Sequence, residues 1–102
     1  MSKTKYNVLI FPKAENDLIE TKTYFEDILK TSSKSLFEKF YKEIDTLEEN
    51  PYIFPLAKDA ILKQFGYRII PIDNYLVFFI IKDNEIQIHR FLYGRRNYHL
   101  LF

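Results

Sequence analysis

The sequence contains no cysteine, which excludes a disulfide framework and any cysteine-based zinc site. It has no apolar segment near the roughly 18 residues of a membrane-spanning helix, and the apolar run after Lys3 and Lys5 is too short for a signal peptide. It has only two histidines, and no cluster of histidine, aspartate and glutamate has metal-ligand spacing. We therefore expect no cofactor and no metal site, and a soluble protein of the cytoplasm.

Apolar and aromatic residues are plentiful by contrast. The 102 residues are 47% hydrophobic and 18% aromatic, with eight tyrosines and ten phenylalanines, so the chain has ample material for a core. No internal repeat, low-complexity tract or linker interrupts it. The length and this continuity predict a single domain over residues 1–102.

The most informative stretch lies in the second half of the chain. Residues 74–81 are mostly aromatic and β-branched and are bounded by polar residues, which predicts a central strand buried on both faces. Residues 85–92 follow a turn rich in Asp and Asn, which predicts a β-hairpin. Residues 67–72 form a third predicted strand. Pro71 cannot donate a ladder hydrogen bond, so this strand is expected at an edge or a bulge.

The first half of the chain predicts one strand and two helices. Residues 5–11 form the strand, and Pro12 suits the first position of a helix whose positive end Glu15 and Asp17 complement. The apolar residues of this helix are Ala14, Leu18, Phe25, Ile28 and Leu29. Residues 31–33 break it and cap a second helix, whose apolar residues are Leu36, Phe37, Phe40, Tyr41, Ile44 and Leu47.

The second helix is expected to end near Asn50, because the residue before Pro51 is pushed out of helical geometry. The short connection predicts an antiparallel helical pair with both apolar faces on one side of the sheet. Residues 51–65 are then expected to be a loop, either the edge of a site or a long crossover.

Basic residues are unevenly distributed. Residues 1–57 carry eight lysines against ten acids, whereas residues 58–102 carry seven basic residues against four acids and hold all four arginines. The planar guanidinium group suits phosphate, so this segregation favours an anionic partner such as nucleic acid or an acidic protein segment. A solvated basic face is the structural alternative.

Several short motifs occur in a characteristic order. They are Asn50-Pro51, Gly66-Tyr67-Arg68, the segments 74–78 and 86–90, and Tyr93-Gly94-Arg95-Arg96. From Tyr6 onward the chain resembles the RelE/ParE superfamily of type II toxins, also called plasmid stabilisation proteins. The resemblance implies an α+β fold in which a helical hairpin packs on one face of an antiparallel sheet formed by an N-terminal strand and a three-stranded meander. It also implies a cognate antitoxin that wraps the toxin and keeps it inactive.

Metal-free RNA cleavage needs a base for the ribose 2′-hydroxyl, cations for the developing charge and an acid for the leaving oxygen. The residue types that could supply them are Arg68, His89, Arg90, Arg95, Arg96, Tyr98 and His99. An unperturbed histidine titrates near pH 6.5, roughly, so both histidines suit proton transfer. His99 follows Arg95 by four residues, so a helical turn would place the two on one side.

His89 and Arg90 are neighbours on a predicted strand and should point to opposite faces. We expect His89 to point outward, on the polar face of Gln87 and Phe91, and Arg90 to lie near the helices or a strand edge; a bulge in this strand would reverse the arrangement. Each candidate also has a structural alternative: Arg90 can pair with a carboxylate, Arg68 can anchor the long loop, and Tyr98 and Phe102 can close the core.

The resemblance supplies further site residues. Arg96 matches a phosphate-contacting arginine of the ribonuclease members, and Tyr98 or His99 falls near their terminal proton-transfer residue. The predicted catalytic set is therefore Arg68, Arg96, Tyr98 and His99, with Lys63, His89, Arg90 and Arg95 as RNA-binding residues. Tyr75 departs from the pattern, because those members usually carry arginine there. In this the chain is similar to the ParE branch, which is thought to poison DNA gyrase by binding.

The resemblance thus predicts the toxin of a type II toxin–antitoxin system. From the cluster of Arg95, Arg96 and His99 we expect a ribosome-dependent mRNA endoribonuclease that inhibits translation, with a cognate antitoxin, the ribosome and mRNA as its partners and no membrane association. Two alternatives remain: a DNA gyrase inhibitor that acts by binding, and a non-toxic member that only binds its antitoxin.

Overall fold

The computed structural model of the chain describes residues 5–94. The first elements are β1 (Asn7–Ile10), α1 (Pro12–Thr23) continuing into a π-helical turn (Tyr24–Ile28), α2 (Lys34–Glu49), a 3₁₀ turn (Pro51–Ile53) and α3 (Ala60–Gln64). The strands β2 (Arg68–Ile72), β3 (Tyr75–Lys82) and β4 (Glu85–Tyr93) follow. Within these residues no helix combines the length and the apolar character that crossing a membrane requires.

The four strands form one sheet in the order β1-β4-β3-β2. The predicted antiparallel meander of β2, β3 and β4 is confirmed, and β2 with Pro71 lies at the sheet edge as expected. The resemblance implied an antiparallel sheet, and β1 is the exception, because it pairs with β4 in parallel. A parallel pair needs a connection of roughly a dozen residues or more, and the two helices after β1 provide that length.

The α1–α2 hairpin packs on one face of the sheet and forms the main core with it. This core contains Ala14, Leu18, Leu36, Phe40, Leu47, Ile70, Ile72, Val77, Phe79, Ile86, Ile88 and Phe91. A smaller cluster on the opposite face contains Ala57, Leu62, Phe78 and Leu92. Phe78 and Phe79 are consecutive, fully buried and in different clusters, so β3 is buried on both faces as predicted.

The predicted apolar face of the first helix is wrong at its end. The side chains of Ile28 and Leu29 are 67% and 48% exposed. These residues lie in and directly after the π turn, in which the Leu29 N–H bonds to the Tyr24 carbonyl five residues earlier instead of four, so the regular helical spacing used for the prediction does not apply there. In α2, Tyr41 was also predicted on the apolar face but is exposed, while Leu36, Phe40 and Leu47 are buried.

The two ends of α2 lie largely where the sequence predicted them. Ser33 is the N-terminal boundary residue, but its side chain makes no capping bond; the hydroxyl of Ser32 accepts instead from the Lys34 N–H. The helix ends at Glu49, directly before Asn50, as expected from Pro51.

The prediction that residues 51–65 form a loop without helix is wrong. This segment contains α3, which begins after Asp59, whose carboxylate accepts from the N–H groups of Ile61 and Leu62. Leu62 packs on the sheet face opposite the hairpin, so α3 belongs to the packed fold.

Candidate functional site

Strand β4 contains a β-bulge at His89. Arg90 pairs with Phe78 and Ile88 pairs with Phe79, so His89 is the extra residue. After the bulge the alternation shifts, and Phe91 faces the helices together with Ile88. The expected grouping of Gln87, His89 and Phe91 on one face is therefore wrong. Bulges often lie next to functional sites because they redirect a side chain.

A chain of hydrogen bonds holds the His89 imidazole. Its Nδ1 lies 2.7 Å from the Tyr67 hydroxyl and its Nε2 lies 3.0 Å from Gln87 Oε1. The Gln87 amide donates through Nε2 to Glu85, at 2.8 Å. The Gln87 oxygen must then accept from His89 Nε2–H, which leaves Nδ1 of the neutral ring to accept from Tyr67 O–H. The network therefore assigns the proton to Nε2.

Burial keeps this pair neutral. Desolvation lowers the pKa of His89, and it raises the pKa of Tyr67 against a smaller opposing effect of the nearby Arg90 charge. The His89 ring stacks on Phe11 at 4.7 Å between centroids and meets Tyr67 edge-on at 5.3 Å. The rings border a cavity of about 340 Å³ whose wall also includes Lys13 and Arg90. The arrangement holds a neutral imidazole and a neutral phenol beside an open cavity.

Arg90 lies against α1, as the sequence predicted. Its Nε and one terminal nitrogen donate to the Asp17 carboxylate at 2.7 Å and 2.9 Å, and Asp17 also accepts from the Phe91 N–H at 3.0 Å. The two side chains are 14% and 8% exposed. The hydrogen bond to Asp17 raises the Arg90 pKa. This buried ion pair joins α1 to β4 and counts against an RNA-binding role for Arg90.

Arg68 also has structural partners. A terminal nitrogen donates to the Phe54 carbonyl at 2.6 Å, and the guanidinium lies 5.1 Å from the centroid of the Tyr52 ring. Both partners belong to the segment after α2, so Arg68 anchors that segment, which was the structural alternative. Lys63 is exposed on α3.

The other predicted site residues, Arg95, Arg96, Tyr98 and His99, lie outside the described residues. The expected gathering of Arg68, Arg96 and His99 around one phosphate therefore stays a prediction, as do the catalytic and RNA-binding roles of the whole set. Among residues 5–94, Arg68 and Arg90 take their side-chain partners from different elements.

Asp17 was not predicted as the partner of Arg90. Asp17 lies on the helical face of Ala14, Leu18 and Thr21, all of which are buried. A carboxylate on the buried face of a helix needs a cation or several donors, so its position was an available signal. Tyr67 as the partner of His89 had no comparable signal, because the pair is 22 residues apart and depends on strand register.

A second concave region, the hairpin groove, lies between the helical hairpin and the β2–β3 turn. It has a volume of about 580 Å³, and its lining includes Tyr24, Phe25, Leu29, Leu36 and Tyr75. Its aromatic and aliphatic side chains suit the apolar face of a partner helix, and Asp73 and Asn74 add polar groups at the β2–β3 turn.

Comparison with known proteins agrees with this architecture. The chain is similar to a solved structure described as the chromosomal ParDE TA system from P. aeruginosa, with a TM-score of 0.68 and 16% identity over 89% of this chain and 98% of the other. This likeness supports the shared fold. Comparison with curated proteins found no match. The sequence model described as the ParE toxin of type II toxin-antitoxin system, parDE, matches residues 8–98. The chain therefore belongs to the ParE toxin family of type II toxin–antitoxin systems.

Proposed function

We propose that this protein arrests growth by binding DNA gyrase and that a cognate antitoxin holds it inactive. The observation that carries the proposal is the environment of Tyr75, at the position where ribonuclease members of the superfamily usually carry arginine. The Tyr75 ring stacks on Phe91 at 5.0 Å, with 10° between the planes, and contacts Phe25. A packed aromatic ring here supports a function that needs no cation on the central strand.

The contacts of Arg68 and Arg90 also favour gyrase binding over RNA cleavage. A metal-free ribonuclease needs cations directed at the phosphate whose charge grows in the transition state. Arg68 is held by the Phe54 carbonyl and Arg90 by Asp17. Moving either guanidinium to a phosphate would break those contacts, which makes catalysis by this pair unfavourable.

The test is induction of the toxin in cells without antitoxin, combined with transcript mapping and a supercoiling assay with purified gyrase. We expect DNA-damage signalling and blocked supercoiling, with translated messages left intact. Defined cuts in translated messages together with normal supercoiling would overturn the gyrase proposal. Unchanged growth would instead indicate a member that only binds its antitoxin.

A ribosome-dependent mRNA endoribonuclease is the second candidate, favoured by the Tyr67–His89 pair beside the cavity with Lys13. It would use the predicted set of Arg68, Arg96, Tyr98 and His99 with Lys63, His89, Arg90 and Arg95, and its partners would be the ribosome and mRNA. In that case the double substitution Arg96→Ala/His99→Ala abolishes both the cuts and growth arrest. A gyrase-binding toxin tolerates the loss of His99.

Family membership implies an antitoxin partner. The hairpin groove suits an apolar helix of such a partner, and a basic surface suits an acidic extended segment. Binding to gyrase places the toxin's site of action in the cytoplasm. A purified toxin that stays fully active beside its neighbouring gene product would contradict this account of neutralisation.

A further inference from the structure

Exposed large apolar side chains form two main groups among the described residues. One group is on the helical hairpin and consists of Ile19, Tyr24, Ile28, Leu29 and Tyr41. The other lies in and before α3 and consists of Tyr52, Ile53, Leu56, Ile61 and Phe65, all within 14 positions. Ile61 and Phe65 are 55% and 68% exposed, and Phe65 is the most exposed of all such side chains. Their spacing of four places them on the same side of the helix. We call these two side chains the α3 anchor pair.

The α3 anchor pair is held on a well-defined element. Asp59 caps the start of the helix, and a left-handed Gly66 (φ +83°) ends it with the Tyr67 N–H bonded to the Leu62 carbonyl. Leu62, on the inner side of α3, is buried against the sheet. A five-residue helix is unstable alone, so these contacts are what fix the exposed pair in position.

The segment that carries the pair has a net positive charge. Lys58 precedes the pair, Lys63 lies between its two members in sequence, and both lysines are exposed. The one carboxylate of this segment, Asp59, accepts two backbone hydrogen bonds as a helix cap. A complementary surface would combine an apolar pocket for Ile61 and Phe65 with carboxylates for the lysines. The apolar pair favours a protein over a nucleic acid as this partner.

We propose that the α3 anchor pair is the contact that the toxin makes with its protein target, inserted into an apolar, acid-bordered pocket of gyrase. This inference rests on the proposed function. The α3 anchor pair lies on the sheet face of Phe78, on which α3 packs. The hairpin groove lies on the opposite side, where the helical hairpin packs on Phe79. The target and the antitoxin helix thus have separate surfaces. Paired aromatic and aliphatic anchors of this kind dominate the binding energy of many interfaces.

The test compares two double variants by binding to purified gyrase. Ile61→Ser/Phe65→Ser removes the anchor pair, and the matched control Ile19→Ser/Tyr41→Ser removes side chains of similar exposure (58% and 56%) from the hairpin. We expect the first variant to bind gyrase at least about tenfold more weakly and to lose supercoiling inhibition, while the control keeps wild-type affinity. Antitoxin binding by the anchor variant should be unchanged, which also shows that it is folded.

Hydrogen exchange gives an independent measurement on the wild-type protein. Backbone amides of residues 60–65 should exchange more slowly in the gyrase complex than in the free toxin. Full gyrase binding by the anchor variant, or unchanged exchange in α3, would overturn the assignment of this surface and leave the gyrase proposal standing. Absence of gyrase binding by the wild type would overturn both. Loss of antitoxin binding alone would show that the antitoxin, and not the target, occupies α3.

Discussion

At the residue scale, the Asp17–Arg90 pair is the most consequential polar contact described. The carboxylate holds the guanidinium through two donors and also receives the Phe91 N–H beyond the end of β1. The Asp17 carboxylate therefore neutralises the nearly buried Arg90 cation and also accepts a hydrogen bond from a backbone N–H of β4. Removal of one member leaves the other charged and desolvated.

We expect Asp17→Ala to lower the free energy of unfolding by about 3–5 kcal/mol, because Arg90 then keeps a buried charge without its carboxylate. The substitution Asp17→Leu/Arg90→Met should recover much of that loss, since it removes both charges. Glu15→Ala, at an exposed position of the same helix, should change stability by at most about 0.5 kcal/mol. Urea unfolding measures all three. A loss for Asp17→Ala as small as that of Glu15→Ala would contradict the role assigned to the pair.

We expect the folding stability of the protein to depend on pH through His89. Its pKa in the folded protein is lowered by burial, so below about pH 6.5 the unfolded chain binds more protons at this residue than the folded one. The stability that the neutral ring contributes is fully present above that pH and is lost as the pH falls toward the folded pKa.

Unfolding measured between pH 7.5 and 5 should show a steeper loss of stability for the wild type than for His89→Gln, which cannot titrate. The histidine resonances in NMR titration should give the folded pKa directly. Equal pH slopes for the two proteins, or a His89 pKa above its ordinary value, would contradict the neutral Tyr67–His89 pair.

At the element scale, α3 shows how a short helix is maintained by its ends. Gly66 has φ +83°, and an added Cβ would meet no atom within 4 Å, so crowding is not the reason for glycine there. The left-handed conformation is the reason, since residues with a Cβ are strained in it.

Gly66→Ala should therefore lower the free energy of unfolding by about 1 kcal/mol, and Gly66→Asn by less, because asparagine tolerates this conformation better. Thermal or urea unfolding measures the difference. Equal effects of the two substitutions would indicate that the end of α3 has another determinant. Because α3 presents Ile61 and Phe65, Gly66→Ala should also weaken gyrase binding if the α3 anchor pair makes that contact.

At the scale of the whole molecule, the sheet separates two cores of unequal size. Phe79 belongs to the large core under the helices, and Phe78 belongs to the small one under α3. Both side chains are fully buried. The fold therefore depends on burial on both faces of β3.

Phe79→Ala and Phe78→Ala should each cost about 3–5 kcal/mol, a large part of the roughly 5–15 kcal/mol that stabilises a typical domain. Calorimetry and circular dichroism measure the loss. The two should differ in hydrogen exchange: Phe78→Ala should accelerate exchange in α3 more than in the hairpin, and Phe79→Ala should do the reverse. Indistinguishable patterns would contradict two separate cores.

Much of the fold was predictable from local pattern. The apolar run of β3, the polar turn before β4, Pro71 at an edge and Pro51 after α2 each act through neighbouring residues, and each prediction is confirmed. The π turn and α3 were not predicted. The first adds one residue to a helical turn without a distinctive composition, and the second is too short for periodicity to show.

The candidate site was less predictable, because its contacts join distant residues. Lysine, arginine, histidine and tyrosine could be named from their chemistry, but their partners depend on register and on the bulge at His89. Arg90 was expected near the helices; the identity of Asp17 as its partner came only from packing.

The amino-acid sequence by itself determined the four strands, the two long helices, their order and the family, because local propensity, hydrophobic period and a recurring set of motifs can all be read along the chain. Only the tertiary structure decided that β1 joins β4 in parallel, that Arg68 and Arg90 have structural partners, and that Ile61 and Phe65 remain exposed. The physical reason is that ion pairs, strand pairing and burial depend on which distant parts of the chain meet, and a single residue's chemistry does not specify its neighbours in space.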